Sequence, residues 1–388
     1  MSYNIIPKNS FQFDIHFCLK DINNKLDVIQ YDPYVSHYLY DFLFETYKQV
    51  DIIQTNNPTL YDTIIKIINP YEFLYTNIPS FEVSVSKVKT EDPMLFDLIE
   101  ITQMCGLNDF FSMPDSLSIG HFTLDNISSE YFINMIREEQ TDIQNHYSIY
   151  NIFELYKIIT QLNTNTNTYN CLFMEIDKEL FHSNLYLFYL LLYVLLIMKQ
   201  QAKGGTSIIK ISYLFDKSII DIIYILTCIF DKVQLVKPLV NNVVYPELYL
   251  VCKDKLVEPL TNSDTINNNE YSYLNELEKN IHLLFLILTN DNIENICIQS
   301  IIQLNDTTEC LPYLFINKIE ELNSIYGQQH LEILDQVINI YKNKSRDEKM
   351  DFIKKSHIQK CIQWCEKNQL PHNKFFEKNI FLCNSTEQ

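Results

Sequence analysis

The sequence predicts an α/β protein with a doubly wound sheet, preceded by a mostly helical N-terminal region and followed by an all-α C-terminal domain. Three observations lead to this fold class. Short β-branched or aromatic runs alternate with longer helical stretches between residues 86 and 253. A polar, Asn-rich segment then interrupts the alternation. Beyond it, apolar residues recur at three- and four-residue steps, which is the spacing of one helix face.

The alternating part supplies the strands and helices of the sheet. A short apolar run bounded by turn residues is typical of a buried strand, and a stripe with a period near 3.6 is typical of a helix. The expected strands cover residues 117–123, 147–152, 171–176, 206–212, 233–236 and 248–251. Expected helices cover residues 128–138, 154–161 and 218–230, with a further long helix ending near residue 201 and a surface loop at 163–168.

Four segments follow from this pattern. Residues 1–80 form a mostly helical N-terminal region, residues 81–258 carry the sheet, and residues 259–270 form a linker. Residues 271–388 form the helical C-terminal domain, whose apolar stripes are interpreted as its core.

Secretion and membrane insertion are not expected. The apolar run 185–198 has 14 residues, whereas a membrane-spanning helix needs about 20. Residues 1–10 lack the apolar stretch of a signal peptide. Ten cysteines without a Cys-x-x-Cys pair are typical of reduced thiols, so an intracellular, cytoplasmic location is expected.

Cys361 and Cys365, with His357 and His372 nearby, leave two interpretations open. The four side chains could hold zinc, but their spacing matches no standard zinc finger. The i,i+4 spacing of the cysteines fits one helix face, which favours core packing. We therefore predict no metal site.

The charge of the chain argues against a broadly basic surface that grips nucleic acid. The formal net charge is -19. Residues 341–378 differ, because they hold ten Lys and Arg against five Asp and Glu. These basic C-terminal helices could contact RNA or an acidic partner, or could simply present a solvated helix face.

Two motifs stand in the second half of the expected sheet. Residues 203–211 read KGGTSIIKI, a glycine pair followed by a strand with a lysine near its end. Residues 236–238 read VKP, and residues 246–253 read PELYLVCK. Their order, with one helix and one strand between them, resembles the FtsJ family of RNA ribose 2′-O-methyltransferases, which includes enzymes of ribosomal RNA and of the mRNA cap.

The resemblance implies a Rossmann-like methyltransferase sheet with a last antiparallel strand, S-adenosylmethionine as cofactor, and a catalytic Lys-Asp-Lys-Glu tetrad. Asp177, Lys210 and Glu247 match three members of the tetrad. A lysine held between carboxylates can orient a ribose hydroxyl as it attacks a methyl group. Gly120 and Asp177 are the expected cofactor-binding residues. RNA, or proteins of capping and transcription, are the partners that the resemblance implies.

Three departures from the family pattern occur. In the segment FDLIEI at residues 96–101, Asp97 stands where the family has its first lysine, and Lys66, Lys87 and Lys89 are alternatives for that lysine. Gly120 is the only glycine near the expected cofactor loop. Residues 241–243 read NNV, where capping relatives have Ser-Arg-Pro.

These features leave three hypotheses for the function. The retained Asp177, Lys210 and Glu247 favour an active RNA ribose 2′-O-methyltransferase. The missing glycines, Asp97 and the net charge favour an inactive methyltransferase-fold subunit or scaffold. The resemblance, together with the A/T-biased composition, suggests the capping or transcription machinery of a large DNA virus. A coincidental match in a generic interaction protein is the third hypothesis.

Overall fold

The structure is a computed structural model of the 388-residue chain. It describes residues 4–373 except 12, 22–32, 80, 91, 125–126, 139, 163–167, 182, 261–268, 289–292, 305–310 and 344–346. Most of the predicted linker and of the predicted loop at 163–168 therefore lies outside the described residues.

Within the described residues, nine strands form two sheets. Their bounds are β1 Ile5–Ile6, β2 Phe13–Asp21, β3 Ser118–Thr123, β4 Ile143–Ser148, β5 Tyr169–Met174, β6 Gln201–Ile211, β7 Phe230–Val236, β8 Leu248–Lys255 and β9 Ile296–Leu304. The large sheet has the order β1-β7-β8-β6-β5-β3-β4, and β2 pairs with β9 in a small second sheet.

Strand directions define the fold class. Strand β3 runs parallel to β4 and β5, and β5 runs parallel to β6. Strand β8 lies between β6 and β7 and is antiparallel to both. This arrangement confirms the predicted Rossmann-like methyltransferase sheet with a last antiparallel strand. The crossover from β4 to β5 passes over β3, and ligands of doubly wound folds bind where the strand order reverses in this way.

Eleven helices surround the sheets in the part of the chain that the structure describes. Their bounds are α1 His37–Asn56, α2 Pro58–Ile68, α3 Met94–Met104, α4 Asn108–Phe111, α5 Ile127–Ile136, α6 Ile152–Gln161, α7 Asn184–Gln200, α8 Lys217–Ile229, α9 Asn269–Ile287, α10 Tyr313–Asn343 and α11 Asp347–Lys367.

The large sheet separates two hydrophobic cores. The first core contains residues of α1, α2 and α6 to α10, and the second contains residues of α3, α5 and α11. Strand β6 shows the alternation of a sheet with both faces covered, since Ile209 and Ile211 face the first core and Ile208 faces the second. Helices from both ends of the chain thus cover the sheet, and the predicted division at residues 80, 258 and 270 stays a prediction.

Helix α7 is the long apolar helix that the sequence predicts. It is buried along nearly its whole length. For this reason apolar residues occupy every side of the helix and no side is polar. Among the described helices, none is long and apolar enough to cross a membrane.

The C-terminal region is helical apart from β9, which corrects the expectation of an all-α domain. Ile296, Ile298 and Ile302 are buried in β9, and β-branched residues favour a strand. The pairing partner, β2, is more than 270 residues away in the sequence, so no local pattern announces it. The predicted strand 147–152 is shifted, because β4 covers Ile143–Ser148 and α6 begins at Ile152.

Cys361 and Cys365 pack in the second core and are fully buried. The indole of Trp364, between them in sequence, lies edge-on to Phe96. Core packing is thus the interpretation that the structure supports. Within the described residues, no group of three or more His, Cys, Asp or Glu side chains could hold a metal ion.

Asp221 joins the small sheet to helix α8. Its carboxylate is completely buried on α8 and accepts hydrogen bonds from the backbone N–H groups of Ile301 and Ile302 at 2.9 and 3.2 Å. The ammonium of Lys217 contacts the other carboxylate oxygen. Two backbone donors of β9 therefore depend on one side chain.

Replacing Asp221 with Ala should lower the free energy of unfolding by roughly 3–5 kcal/mol, because the charge partner of Lys217 and the acceptor of two buried donors are lost together. Urea denaturation followed by circular dichroism measures the change. Asp231→Ala is the matched control, since Asp231 pairs with Lys8 on the surface and should give no measurable change. Equal stability of the two variants would contradict this role of Asp221.

Candidate functional site

Three charged side chains meet at one edge of the large sheet. Lys210 is the penultimate residue of β6, Glu175 follows the last residue of β5, and Glu247 precedes the first residue of β8. Parallel β5 and β6 end at the same edge, and antiparallel β8 begins there. The strand directions therefore bring together residues that are 72 positions apart or fewer in the sequence.

The ammonium of Lys210 lies between the two carboxylates. Its Nζ is 3.2 Å from Glu175 Oε1 and 3.3 Å from Glu247 Oε1. The three side chains are 12%, 9% and 8% exposed, respectively. We call Lys210, Glu175 and Glu247 the Lys210 cluster.

Burial and charge act in opposite directions on the pKa values of this cluster. Burial alone would lower the pKa of Lys210, but the attraction of Glu247 and Glu175 outweighs it and raises that pKa. Burial likewise opposes ionisation of Glu247, but Lys210 and the other donors lower its pKa below the usual range. For Glu175, burial prevails over Lys210 and the pKa is raised. Lys210 and Glu247 therefore form a stable ion pair.

Glu175 is held from two further sides. Its Oε2 accepts a hydrogen bond from the N–H of Leu124 at 3.2 Å, and its carbonyl oxygen accepts one from the hydroxyl of Tyr193. Leu124 is the first residue after β3. The carboxylate thus links the ends of β3, β5 and β6.

Of the three residues predicted to share one site, Lys210 and Glu247 lie together and Asp177 does not join them. Strand β5 ends at Met174, earlier than predicted, and Asp177 instead precedes the 3₁₀ turn 178–180. Its carboxylate accepts the N–H of Glu179 at 3.0 Å. Among the ion pairs of the described residues, Glu175 takes the place expected for Asp177. The catalytic roles of Asp177, Lys210 and Glu247 stay predictions.

Asp97 lies next to the Lys210 cluster. This is where the segment 96–101 is expected to lie, because it aligns with the family segment that carries the first lysine of the tetrad. The residue is 2% exposed on α3, and its Oδ2 accepts hydrogen bonds from the Tyr249 hydroxyl at 2.8 Å and from Asn241 Nδ2 at 2.9 Å. Its Oδ1 is buried without a hydrogen-bond partner among the residues that the structure describes. Burial raises the pKa of Asp97 to about 7, although Asn241, Tyr249 and Lys210 favour its charged form.

The three alternative lysines do not reach this place. Lys66, Lys87 and Lys89 are exposed, and the described contacts include none between them and the cluster. The lysine that lies near Glu247 and Asp97 is Lys237, of the Lys-Pro dipeptide. Sequence reasoning assigned no role to Lys237, Glu175 or Asn241, although Glu175 directly follows a run of buried apolar residues and so stands where a parallel strand ends.

Gly120 lies within a strand and not in a loop, and its cofactor-binding role stays a prediction. It lies inside β3, paired with Asn145 and Leu172. A Cβ at this position would stand 2.8 Å from Leu172 Cδ2 and 3.1 Å from Phe122 Cε2. The glycine therefore makes room for neighbouring side chains within the sheet.

The residues after β3 do not fit S-adenosylmethionine in the way that a glycine turn would hold it. Such a turn needs backbone without Cβ atoms and free N–H groups that face the ligand. Leu124 occupies the first position of the turn, and its N–H is bound to Glu175. The expected site of the cofactor is thus bridged by a carboxylate of the Lys210 cluster.

A cavity of about 410 Å³ opens at the same edge of the sheet. Seven aromatic side chains line it, among them Tyr40, Phe181 and Tyr186, together with Asp51 and Asp216. Burial raises the pKa of Asp216 to about 6. The walls belong to the first core, whereas Asp97 and Tyr249 adjoin the second, so the cavity and the Lys210 cluster lie on opposite faces of the sheet.

Comparison with known proteins adds little to these observations. No family model matches the chain, and no curated protein matches it. Among solved structures, the chain is similar to a crystal structure from Plasmodium falciparum that is assigned as a ribosomal RNA methyltransferase. The match has 17% sequence identity and a TM-score of 0.32, and covers 43% of this chain and 99% of the other. The fold assignment therefore rests on the strand order of the chain itself.

Asp97 should make the stability of the protein depend on pH. Its folded-state pKa of about 7 lies above the ordinary value of 3.8, so its stabilising effect is complete below pH 4 and is lost as the pH rises through 7. The free energy of unfolding should fall over this interval, by at most about 1.4 kcal/mol per pH unit. In Asp97→Asn this part of the pH dependence should disappear.

Urea denaturation at pH 4 to 8 measures the effect. Asp109→Asn is the control, because Asp109 is an exposed aspartate near the end of the next helix. If Asp97→Asn and the wild type keep the same pH profile, Asp97 does not titrate in the folded protein as described.

Proposed function

We propose that this chain is an FtsJ-like protein of RNA metabolism that binds RNA through a ribose hydroxyl. The observation that carries the proposal is the placement of Lys210 between two carboxylates at the carboxyl-terminal edge of a methyltransferase-type sheet. The motifs at residues 203–211 and 246–253 support the family assignment, because they supply Lys210 and Glu247.

The Lys210 cluster has the chemistry to hold a hydroxyl group. An ammonium can donate to the hydroxyl oxygen, and a carboxylate beside it can accept the hydroxyl proton. The raised pKa of Lys210 keeps the ammonium charged. A 2′-hydroxyl is the group by which a protein distinguishes RNA from DNA at a given site.

The aromatic cavity supports binding of a nucleobase. Single-stranded RNA is commonly recognised by stacking of bases on aromatic side chains. Ser212, in the wall of the cavity, is two residues beyond Lys210, and its N–H donates to the Tyr186 hydroxyl at 2.9 Å. The cavity and Lys210 share this end of β6 but lie on opposite faces of the sheet, so a base in the cavity would belong to a different nucleotide from the ribose at Lys210.

The residues after β3, where S-adenosylmethionine would be expected to bind, lead us to propose that the protein does not transfer methyl groups. The Leu124 N–H is occupied and residues 124–130 contain no glycine, so the chain lacks the glycine turn that would hold S-adenosylmethionine. The proposed role of the chain is that of a methyltransferase-fold subunit or scaffold in RNA capping or transcription. Its composition is in keeping with a large DNA virus, and the basic segment 341–378 is the candidate contact surface for a partner.

RNA should bind more tightly than DNA of the same sequence, and the difference should depend on Lys210. We expect RNA to be preferred by about tenfold, which corresponds to about 1.4 kcal/mol. The preference should vanish in Lys210→Met, which keeps the length of the side chain without its charge. Fluorescence anisotropy with capped and uncapped 10-nucleotide probes measures both affinities.

Lys203→Met is the control for this experiment, because Lys203 is an exposed lysine at the other end of the same strand. It should weaken RNA and DNA binding equally, if at all. Circular dichroism verifies that Lys210→Met is folded. Equal affinity of the wild-type protein for RNA and DNA would contradict the claim that it recognises RNA through a ribose hydroxyl.

An active RNA ribose 2′-O-methyltransferase is the second candidate, and it is favoured by the same Lys210 cluster. The first candidate predicts no heat in calorimetry with S-adenosylmethionine or S-adenosylhomocysteine at millimolar concentration, because Glu175 occupies the Leu124 amide. Binding in the micromolar range would contradict the first candidate and support the second. In that case Lys210→Met should abolish methyl transfer to capped RNA and leave the cofactor affinity unchanged.

A further inference from the structure

Lys237 has all the hydrogen-bond acceptors that an ammonium can use. Its Nζ donates to the carbonyl oxygens of Tyr245 and Glu247 at 2.9 and 3.0 Å, and to Asn241 Oδ1 at 3.1 Å. All three acceptors belong to the segment that connects β7 to β8. The ammonium therefore holds this connection together from within and is not directed at a ligand.

The side chain of Asn241 connects Lys237 to the carboxylates of Glu247 and Asp97. Its amide nitrogen donates to Glu247 Oε2 at 3.1 Å and to Asp97 Oδ2 at 2.9 Å. The side chain is buried, at 3% exposure. With its oxygen against an ammonium and its nitrogen between two carboxylates, the amide can adopt only one orientation.

Glu247 is consequently fixed at both ends. One carboxylate oxygen faces Lys210, the other is bound by Asn241, and the carbonyl oxygen of the same residue is bound by Lys237. Without these bonds, Lys210 would be the remaining ion-pair partner of the carboxylate among the described contacts. The opposite carboxylate, Glu175, has its own second donor in the Leu124 N–H.

We propose that Lys237 and Asn241 form a positioning arm that holds the Glu247 carboxylate against Lys210. Both are positioning residues, since they act on a hydroxyl ligand only through Glu247. The proposal rests on the proposed function for its purpose, because a ligand hydroxyl at Lys210 needs a fixed carboxylate beside it. The geometry of the arm itself requires neither RNA nor cofactor.

The amine reactivity of Lys210 reports on this arm. A lysine that loses one of two adjacent carboxylates has a lower pKa, and each unit of pKa gives about tenfold more of the reactive free amine. Competitive labelling with isotopic forms of acetic anhydride at pH 8, read by mass spectrometry, measures the rate at Lys210 in the full-length chain.

Asn241→Ala should raise the labelling rate of Lys210 by about tenfold or more. Lys237→Met should raise it by less, because the loss of the neighbouring positive charge by itself favours the charged form of Lys210. Lys237→Arg keeps a charged donor in the connection and should stay within about twofold of the wild type. Lys253→Met is the matched control from β8. Lys253 donates only to the carbonyls of Cys105 and Gly106 among its described partners, and its loss should leave Lys210 unchanged.

Circular dichroism and thermal unfolding identify the variants that are folded. Asn241→Ser, which shortens the arm but keeps a polar group, replaces Asn241→Ala if the latter does not fold. Unchanged labelling of Lys210 in the folded arm variants overturns the proposal, and so does an equal rise in Lys237→Arg and Lys237→Met. A rise in the labelling of Lys210 without any loss of RNA preference would instead count against the proposed function alone.

Discussion

The ammonium of Lys210 is the group on which the arrangement of this sheet edge depends. Transfer of a charged lysine out of water costs several kcal/mol unless opposite charges compensate for it. Two carboxylates do so, and each needs a second donor of its own. Glu175 finds it in the Leu124 amide, and Glu247 finds it in Asn241. The need to compensate the charge of Lys210 thus determines which contacts are made by the segments that follow β3, β5 and β7.

The same requirement explains the difference between the two halves of the site. Glu175 serves Lys210 and also occupies the first backbone amide after β3. A cofactor that needed this amide would compete with a carboxylate that the lysine requires. Under the proposed function, the Lys210 cluster can therefore hold a hydroxyl group, while the amide after β3 is bridged by Glu175. A fold does not by itself fix the chemistry of its site.

Distant parts of the chain complete the sheet around this edge. Strand β1 extends it beyond β7, and α1 contributes Tyr40 and Asp51 to the aromatic cavity. His330 of α10 links Tyr213, in the wall of the cavity, to the carbonyl of Val244. The connection that carries Asn241 and Glu247 is thus packed against elements from the N-terminal and the C-terminal regions.

The sequence by itself determined the alternation of strands and helices, the buried α7, and the meeting of Lys210 with Glu247. The first two features are local, because they follow from hydrophobic period, whereas the meeting of Lys210 with Glu247 was implied by the resemblance of the motifs at residues 203–211 and 246–253 to a known family. It also led correctly to the segment that carries Asp97. Only the tertiary structure decided that Glu175, not Asp177, faces Lys210. The pattern of apolar residues does not locate the end of a strand to within two residues. Gly120 inside β3, β9 paired with β2, and Lys237 behind Glu247 likewise depend on contacts between residues far apart in the chain. Such contacts are fixed by packing and charge compensation in the folded state, and no local sequence pattern encodes them.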